Sequence, residues 1–180
     1  LARGQGTCAP TPALTQGPYY LRDVPQRDDL REGLPGVPLR LLLRVRDRAC
    51  RPLQGARVDL WHTDALGRYS GVNAPGTFCR GWQATDERGE VAFLTLFPGW
   101  YPSRTPHLHL RVEAGGRVFA TQLFFPEEVQ RQVYALPPYR ERGMPRVNNR
   151  QDGLFRADLL LRLEREGEAY RGAFVLTLPG

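Results

Sequence analysis

The apolar runs of this chain are short, and that constrains its fold more than any other feature. From Leu39 onward they last ten residues at most before turn-forming residues interrupt them: Leu39 to Val45, Ala56 to Trp61, Val91 to Phe97, His107 to Val112, Val118 to Phe125, Ala157 to Leu163 and Ala169 to Leu178. Runs of that length, rich in branched and aromatic residues and bounded by Gly, Pro, Asp and Asn, read as strands. Arg88-Gly89, Gly115-Gly116 and Glu166-Gly167 supply the glycines that tight hairpin connections need. Only Pro126 to Leu136 has helical character. The expectation is an all-β chain, a single antiparallel β-sandwich with long loops that would carry an active site. At 180 residues there is enough chain for one well-formed core and too little for two. Residues 1–37 are rich in Pro and Gly and read as an extended N-terminal arm, leaving 38–180 as the sandwich domain.

Composition excludes several classes of function. Hydrophobic residues make up 41% and charged residues 24%, ordinary values for a folded globular chain. No apolar run approaches the roughly 20 residues that span a bilayer. The net charge is +6, and all 25 basic residues are Arg. No basic run is interleaved with aromatics, so the charge reads as a solvated surface rather than a nucleic-acid interface. The three cysteines, Cys8, Cys50 and Cys79, lack the spacing of a zinc finger. An odd count fits one bridge plus one free thiol. Cys8 in the irregular arm and Cys50 in the turn Asp47 to Pro52 are the expected pair, the alternative being three thiols in a reducing cytoplasm. Cys79 reads as a small buried thiol. Residue 1 is Leu, so any signal peptide would lie upstream, and the bridge favours an extracytoplasmic location.

Two of the three histidines stand one residue apart, in His107-Leu108-His109. On a strand, period two puts both imidazoles on one face and Leu108 on the other, which is a metal-ligand geometry. Imidazole alone does not name the metal. No carboxylate stands on that strand to complete a facial triad, but Tyr101 lies just upstream and Tyr69 sits in Gly67-Arg68-Tyr69-Ser70. An ordinary phenol has a pKa near 10, so a tyrosinate ligand requires a strongly Lewis-acidic, oxygen-loving cation. Ferric iron meets that requirement and zinc meets it poorly.

With these residues in view, the chain resembles the intradiol ring-cleavage dioxygenases, the family of catechol, hydroxyquinol and protocatechuate dioxygenases. The resemblance is carried by Thr15 to Tyr20, Val58 to Asp64, Gly67 to Ser70, Thr77 to Asp86 and Phe97 to His109. It covers most of residues 15–125 and, more loosely, the tail. It implies a mononuclear non-haem Fe(III) held by Tyr69 (equatorial), Tyr101 (axial, displaced by substrate), His107 (axial) and His109 (equatorial). It makes Arg104 the cation that steadies charge on the substrate ring, Gln122 a pocket residue, and Tyr19 and Tyr20 parts of the pocket wall. Substrates would be a catechol-type diol and O2, and the product a muconate-type dicarboxylate. The catechol-specific members carry an extra N-terminal helical domain where this sequence shows an arm of about forty residues, so the resemblance is expected to be to the compact, extracytoplasmic members. Turn and core residues such as Gly55, Asp86, Gly89 and Pro98-Gly99 would equally suit a transthyretin-like or carboxypeptidase-regulatory-like binding module without metal. Tyr69, Tyr101, Arg104, His107 and His109 are what that alternative leaves unexplained. His62 and Asp64 read as structural.

Overall fold

The computed structural model describes residues 6–180. Eight strands form two four-stranded sheets packed face to face. The strands are β1 (Pro38–Arg46), β2 (Arg57–Trp61), β3 (Arg80–Ala84), β4 (Glu90–Leu96), β5 (His107–Ala114), β6 (Arg117–Phe124), β7 (Arg162–Glu166) and β8 (Ala169–Thr177). One sheet has the order β4-β1-β8-β7 and the other β3-β2-β5-β6. Among the described residues there is one α-helix, α1 (Glu127–Tyr134), which follows β6. Among the described residues no helix is long and apolar enough to cross a membrane.

The core follows from alternation along the strands. In β1, Leu39, Leu41, Leu43 and Val45 are buried while Arg40, Leu42 and Arg44 are exposed. Leu108, Leu110 and Val112 of β5 join the same hydrophobic cluster. By the same period His107 and His109 point to the opposite, outer face of their sheet, yet both are buried. What covers them is the arm and the loops.

The structure departs from the strand reading in three places. The sandwich is not wholly antiparallel, because β1 pairs with β8 in parallel, from Leu39↔Tyr170 to Arg46↔Thr177. Strands distant in sequence come together there without a hairpin, so nothing enforces the antiparallel sense. The run Ala157 to Leu163 splits into a 3-10 turn (Ala157–Leu159) and the start of β7. β3, missed as an apolar run because Arg80, Gly81 and Gln83 interrupt it, is recruited by pairing with β2 from Arg57↔Ala84 to Trp61↔Arg80.

From residue 6 onward the N-terminal arm is extended and is pinned at intervals. Cys8 and Cys50 are disulfide-linked with Cα atoms 5.4 Å apart. Thr11 N donates to Thr177 O and Leu14 N to Ala120 O, while the Thr121 hydroxyl donates to Pro12 O. The arm then crosses the outer face of the β3-β2-β5-β6 sheet, and Leu30 enters the core. Cys79, the free thiol, is buried against Phe78 and Leu96.

Candidate metal centre

Three segments converge on the outer face of β5. The first is the loop after β2. Asp64 shapes it by accepting from the backbone N–H groups of Leu66 (3.0 Å) and Arg68 (2.9 Å), and Tyr69 N donates to the Asn73 side chain at 2.8 Å. Gly67 lies at φ +78°, where a Cβ would stand 2.2 Å from Trp100 O, so the loop passes too close to its neighbour for any side chain. The second segment is the β4–β5 connection. It is tied to the first by Gly99 N donating to Asp64 O (2.8 Å) and the Thr63 hydroxyl to Gly99 O (2.6 Å). The third is the start of β5 itself.

The result is a cluster of four donor atoms. Tyr69 Oη lies 3.4 Å from Tyr101 Oη, 3.4 Å from His107 Nε2 and 3.2 Å from His109 Nε2. Tyr101 Oη is 3.2 Å from His107 Nε2, and the two Nε2 atoms are 3.1 Å apart. Donors bonded at about 2 Å to one ion stand roughly 3 Å from each other, so the set has the spacing of a shared coordination sphere. His107 Nδ1 meets Thr105 O at 2.7 Å. A carbonyl only accepts, so Nδ1 carries the proton and the Nε2 lone pair faces the cluster. The His109 ring is held by Trp61, stacked at 5.1 Å with an interplanar angle of 7°, and a Cβ at Gly17 would stand 3.6 Å from its Cε1.

Electrostatics suit a cation. Burial, reinforced by the Arg104 charge, lowers the His107 pKa to about 3. Burial and His107 together hold His109 well below the ordinary histidine range, so both imidazoles are neutral. Burial pushes the Tyr69 phenol far above its ordinary value, and it raises Tyr101 as well. Nothing but a bound cation would make those oxygens anionic at neutral pH. Among the described residues no group of three or more His, Cys, Asp or Glu is arranged to hold a metal; a set of two phenols and two imidazoles is a different kind of site.

Arg104 and Gln122 flank the cluster. Arg104 Nη2 donates to Gln122 Oε1 at 2.7 Å, and Nη1 lies 3.4 Å from His107 Nε2. Gln122 is the cross-strand partner of His109, and its amide donates to Thr15 O of the arm at 3.0 Å. Tyr19 packs on Tyr69 with ring centroids 4.8 Å apart. Tyr20 turns instead to Trp61 and, 4.6 Å away, to the Arg111 guanidinium. His62 is fully buried with Nδ1 at Thr63 O and Nε2 at the Thr95 hydroxyl, both 2.7 Å, so neither nitrogen is free for a ligand role.

Sequence reading missed two partners. Arg80, 1% exposed, donates from Nε to Ser70 O and Oγ and from Nη1 to Tyr19 O, tying the arm to the Tyr69 loop. Asp152, in the tail, accepts from Arg104 Nε at 2.8 Å. Burial works to raise its pKa, but the Arg104 hydrogen bond and the backbone N–H groups outweigh it, so the carboxyl lies below its usual range. No motif surrounds Asp152, and only the fold brings it across 48 residues to Arg104.

A β-sandwich that gathers a His-X-His strand and two convergent tyrosines on one outer face presents a candidate metal-binding site. A family model described as "Dioxygenase" matches residues 15–134. A chlorocatechol 1,2-dioxygenase from a Pseudomonas species is 30% identical over 152 residues, covering 68% of this chain and 58% of that relative. A solved intradiol ring-cleavage dioxygenase from Tetranychus urticae superposes with a TM-score of 0.90 at 32% identity, covering 96% of this chain and 95% of that one. The dioxygenase domain of a dioxygenase and carbohydrate-binding protein fusion from Streptomyces sp. SirexAA-E gives 0.78 at 37% identity, over 95% and 99%. The chain belongs to the intradiol ring-cleavage dioxygenase family. It spans 58% and 56% of the length of the chlorocatechol dioxygenases it matches.

Proposed function

We propose that this protein cleaves the ring of a catechol-type diol between its two hydroxylated carbons, using O2 and a mononuclear non-haem Fe(III) held by Tyr69, Tyr101, His107 and His109. The observation that carries this reading is the meeting of four donor atoms, two phenolic and two imidazole, each within 3.1–3.4 Å of at least two others. The relatives, named for catechol, chlorocatechol and hydroxyquinol, support the substrate class. Bound there, ferric iron would draw electron density from the chelated diol and render its ring carbon open to O2.

The chain's own groups do the rest. Tyr101 is partly exposed where the other three donors are buried, so it is the donor an incoming diol can reach and displace. Its oxygen then takes a proton from a diol hydroxyl, ligand and base in turn. Arg104 presents fixed positive charge beside the cluster, where charge develops on the ring. The arm, with Gly17 against His109 and Tyr19 against Tyr69, excludes water from the ligands. Both oxygen atoms of O2 end in the product, a muconate-type dicarboxylate. The Cys8–Cys50 bridge supports a place for this chemistry outside the cytoplasm.

The test is direct. Purified protein should contain about one iron per chain, show a burgundy tyrosinate-to-iron absorbance, and consume O2 with catechol. A colourless, iron-free and inactive preparation, not restored by ferric iron, would return the chain to the binding-module alternative.

A further inference from the structure

Arg104 has three faces to its guanidinium, and two of them are taken. Nε donates to Asp152 Oδ2 at 2.8 Å and Nη2 to Gln122 Oε1 at 2.7 Å, which leaves Nη1 directed at the donor cluster, 3.4 Å from His107 Nε2. The Asp152 side chain is fully buried and that of Arg104 is 16% exposed. Asp152 has a second duty. The same Oδ2 accepts from Thr105 N at 2.9 Å, Oδ1 accepts from Leu154 N at 2.9 Å, and Thr105 O in turn receives His107 Nδ1–H at 2.7 Å. The Thr105 hydroxyl donates to Asn149 Oδ1, so the tail is fastened to the lead-in of β5 at two points.

We infer that Asp152 is a positioning residue for the reaction, aiming Arg104 at the substrate ring and, through Thr105, orienting His107. Charge-assisted hydrogen bonds to a planar guanidinium fix direction as well as distance, and a buried carboxylate has no competing solvent. Gln122 alone could not do this. A single hook on Nη2 leaves the fork free to swing about that bond, whereas a second hook on Nε locks its plane. A purely structural ion pair would need no such arrangement, since Asp152 could close on an arginine anywhere along the tail, yet its partner here is the one beside the donor cluster.

The inference rests on the dioxygenase reading, and two readouts separate their failures. The first needs no activity. A crystal structure of iron-loaded Asp152→Asn should show the guanidinium turned from its place by about 1 Å or more, a displacement that costs catalysis about 100-fold. A superposable guanidinium would overturn the inference whether or not the wild type is a dioxygenase. The second is a kinetic cycle of Asp152→Asn, Arg104→Ala and the double variant, each loaded with iron and each saturated with catechol before O2 is admitted. Asp152→Asn should slow the oxygen step by roughly 10- to 100-fold, as outer partners of catalytic groups do, with a smaller effect on KM. In the Arg104→Ala background the same change should cost markedly less than in the wild type, because the route through Arg104 is gone and only the one through Thr105 to His107 remains. Full additivity would refute a role through Arg104. If Asp152→Asn does not fold, Asp152→Glu, which keeps the charge and shifts it by one methylene, goes through the same two measurements, and an unmoved guanidinium or full additivity would again overturn the inference.

Discussion

Tyr69 and Tyr101 bring the same phenol to the same cluster, but one is buried and the other partly open to solvent, and their substitutions should separate accordingly. Tyr69→Phe should lower iron loading by more than the roughly 10- to 100-fold that outer partners of a ligand are worth, leaving the β fold intact. Wild-type iron content and turnover in that variant would remove Tyr69 from the ligand set. Tyr101→Phe should keep its iron, change colour, and turn over about 100-fold slower or worse through loss of the internal base. Arg104→Ala should leave colour and catechol binding nearly unchanged and slow the oxygen step by roughly 100- to 1,000-fold, read by stopped flow on the preformed complex. His62 offers a test apart from the donor cluster. Burial lowers its pKa from 6.5 to about 4, so the native state resists protonation while the unfolded chain accepts it. Its contribution is therefore whole above pH 6.5 and is lost as pH falls toward 4, about 3 kcal/mol in all. Urea midpoints should decline over that window, and His62→Gln should flatten the decline; equal slopes in both proteins would dismiss the assignment.

At the scale of elements, the site depends on how closely two loops approach. Gly67 precedes Tyr69 by two residues and its missing Cβ faces Trp100 O, whose residue precedes Tyr101. An alanine there adds a clash with rigid backbone to an unfavourable positive φ. Gly67→Ala should cost about 2–4 kcal/mol in urea unfolding and reduce iron loading at the same time, because it parts the two loops that carry the tyrosines. A variant with lowered stability but normal iron loading would show that the loops are held in register by something other than this contact. The strand β5 has the opposite character. Its inward Leu108, Leu110 and Val112 anchor it in the core, so its outward histidines ride on a rigid element.

At the scale of the whole molecule, the arm joins the two sheets and roofs the site, and the Cys8–Cys50 link closes a long loop, with a sequence separation of 42, between its start and the body. In the chain-entropy account a loop of that size is worth about 4 kcal/mol. Thiol titration of denatured, unreduced protein should find one reactive cysteine, Cys79, and Cys50→Ser should lose about 2–4 kcal/mol of stability. Three reactive thiols would withdraw both the bridge and the extracytoplasmic proposal.

Strand character, the two-faced placement of His107 and His109 around Leu108, and the nature of the arm were legible in the sequence because each depends on local period and composition. The motif Gly67 to Ser70 and the run Pro98 to His109 also named the four donors, and the structure brings those four together. What local pattern could not supply was anything set by long-range pairing. The parallel β1–β8 ladder, the strand β3 within a polar run, the clamp of Arg80 on Tyr19 and Ser70, and the hold of Asp152 on Arg104 all join residues that share no period and no motif. Such contacts exist only once the sheets have packed, since it is the closed sandwich that carries the tail and the arm to one outer face and leaves the buried charges no partners but the polar groups gathered there.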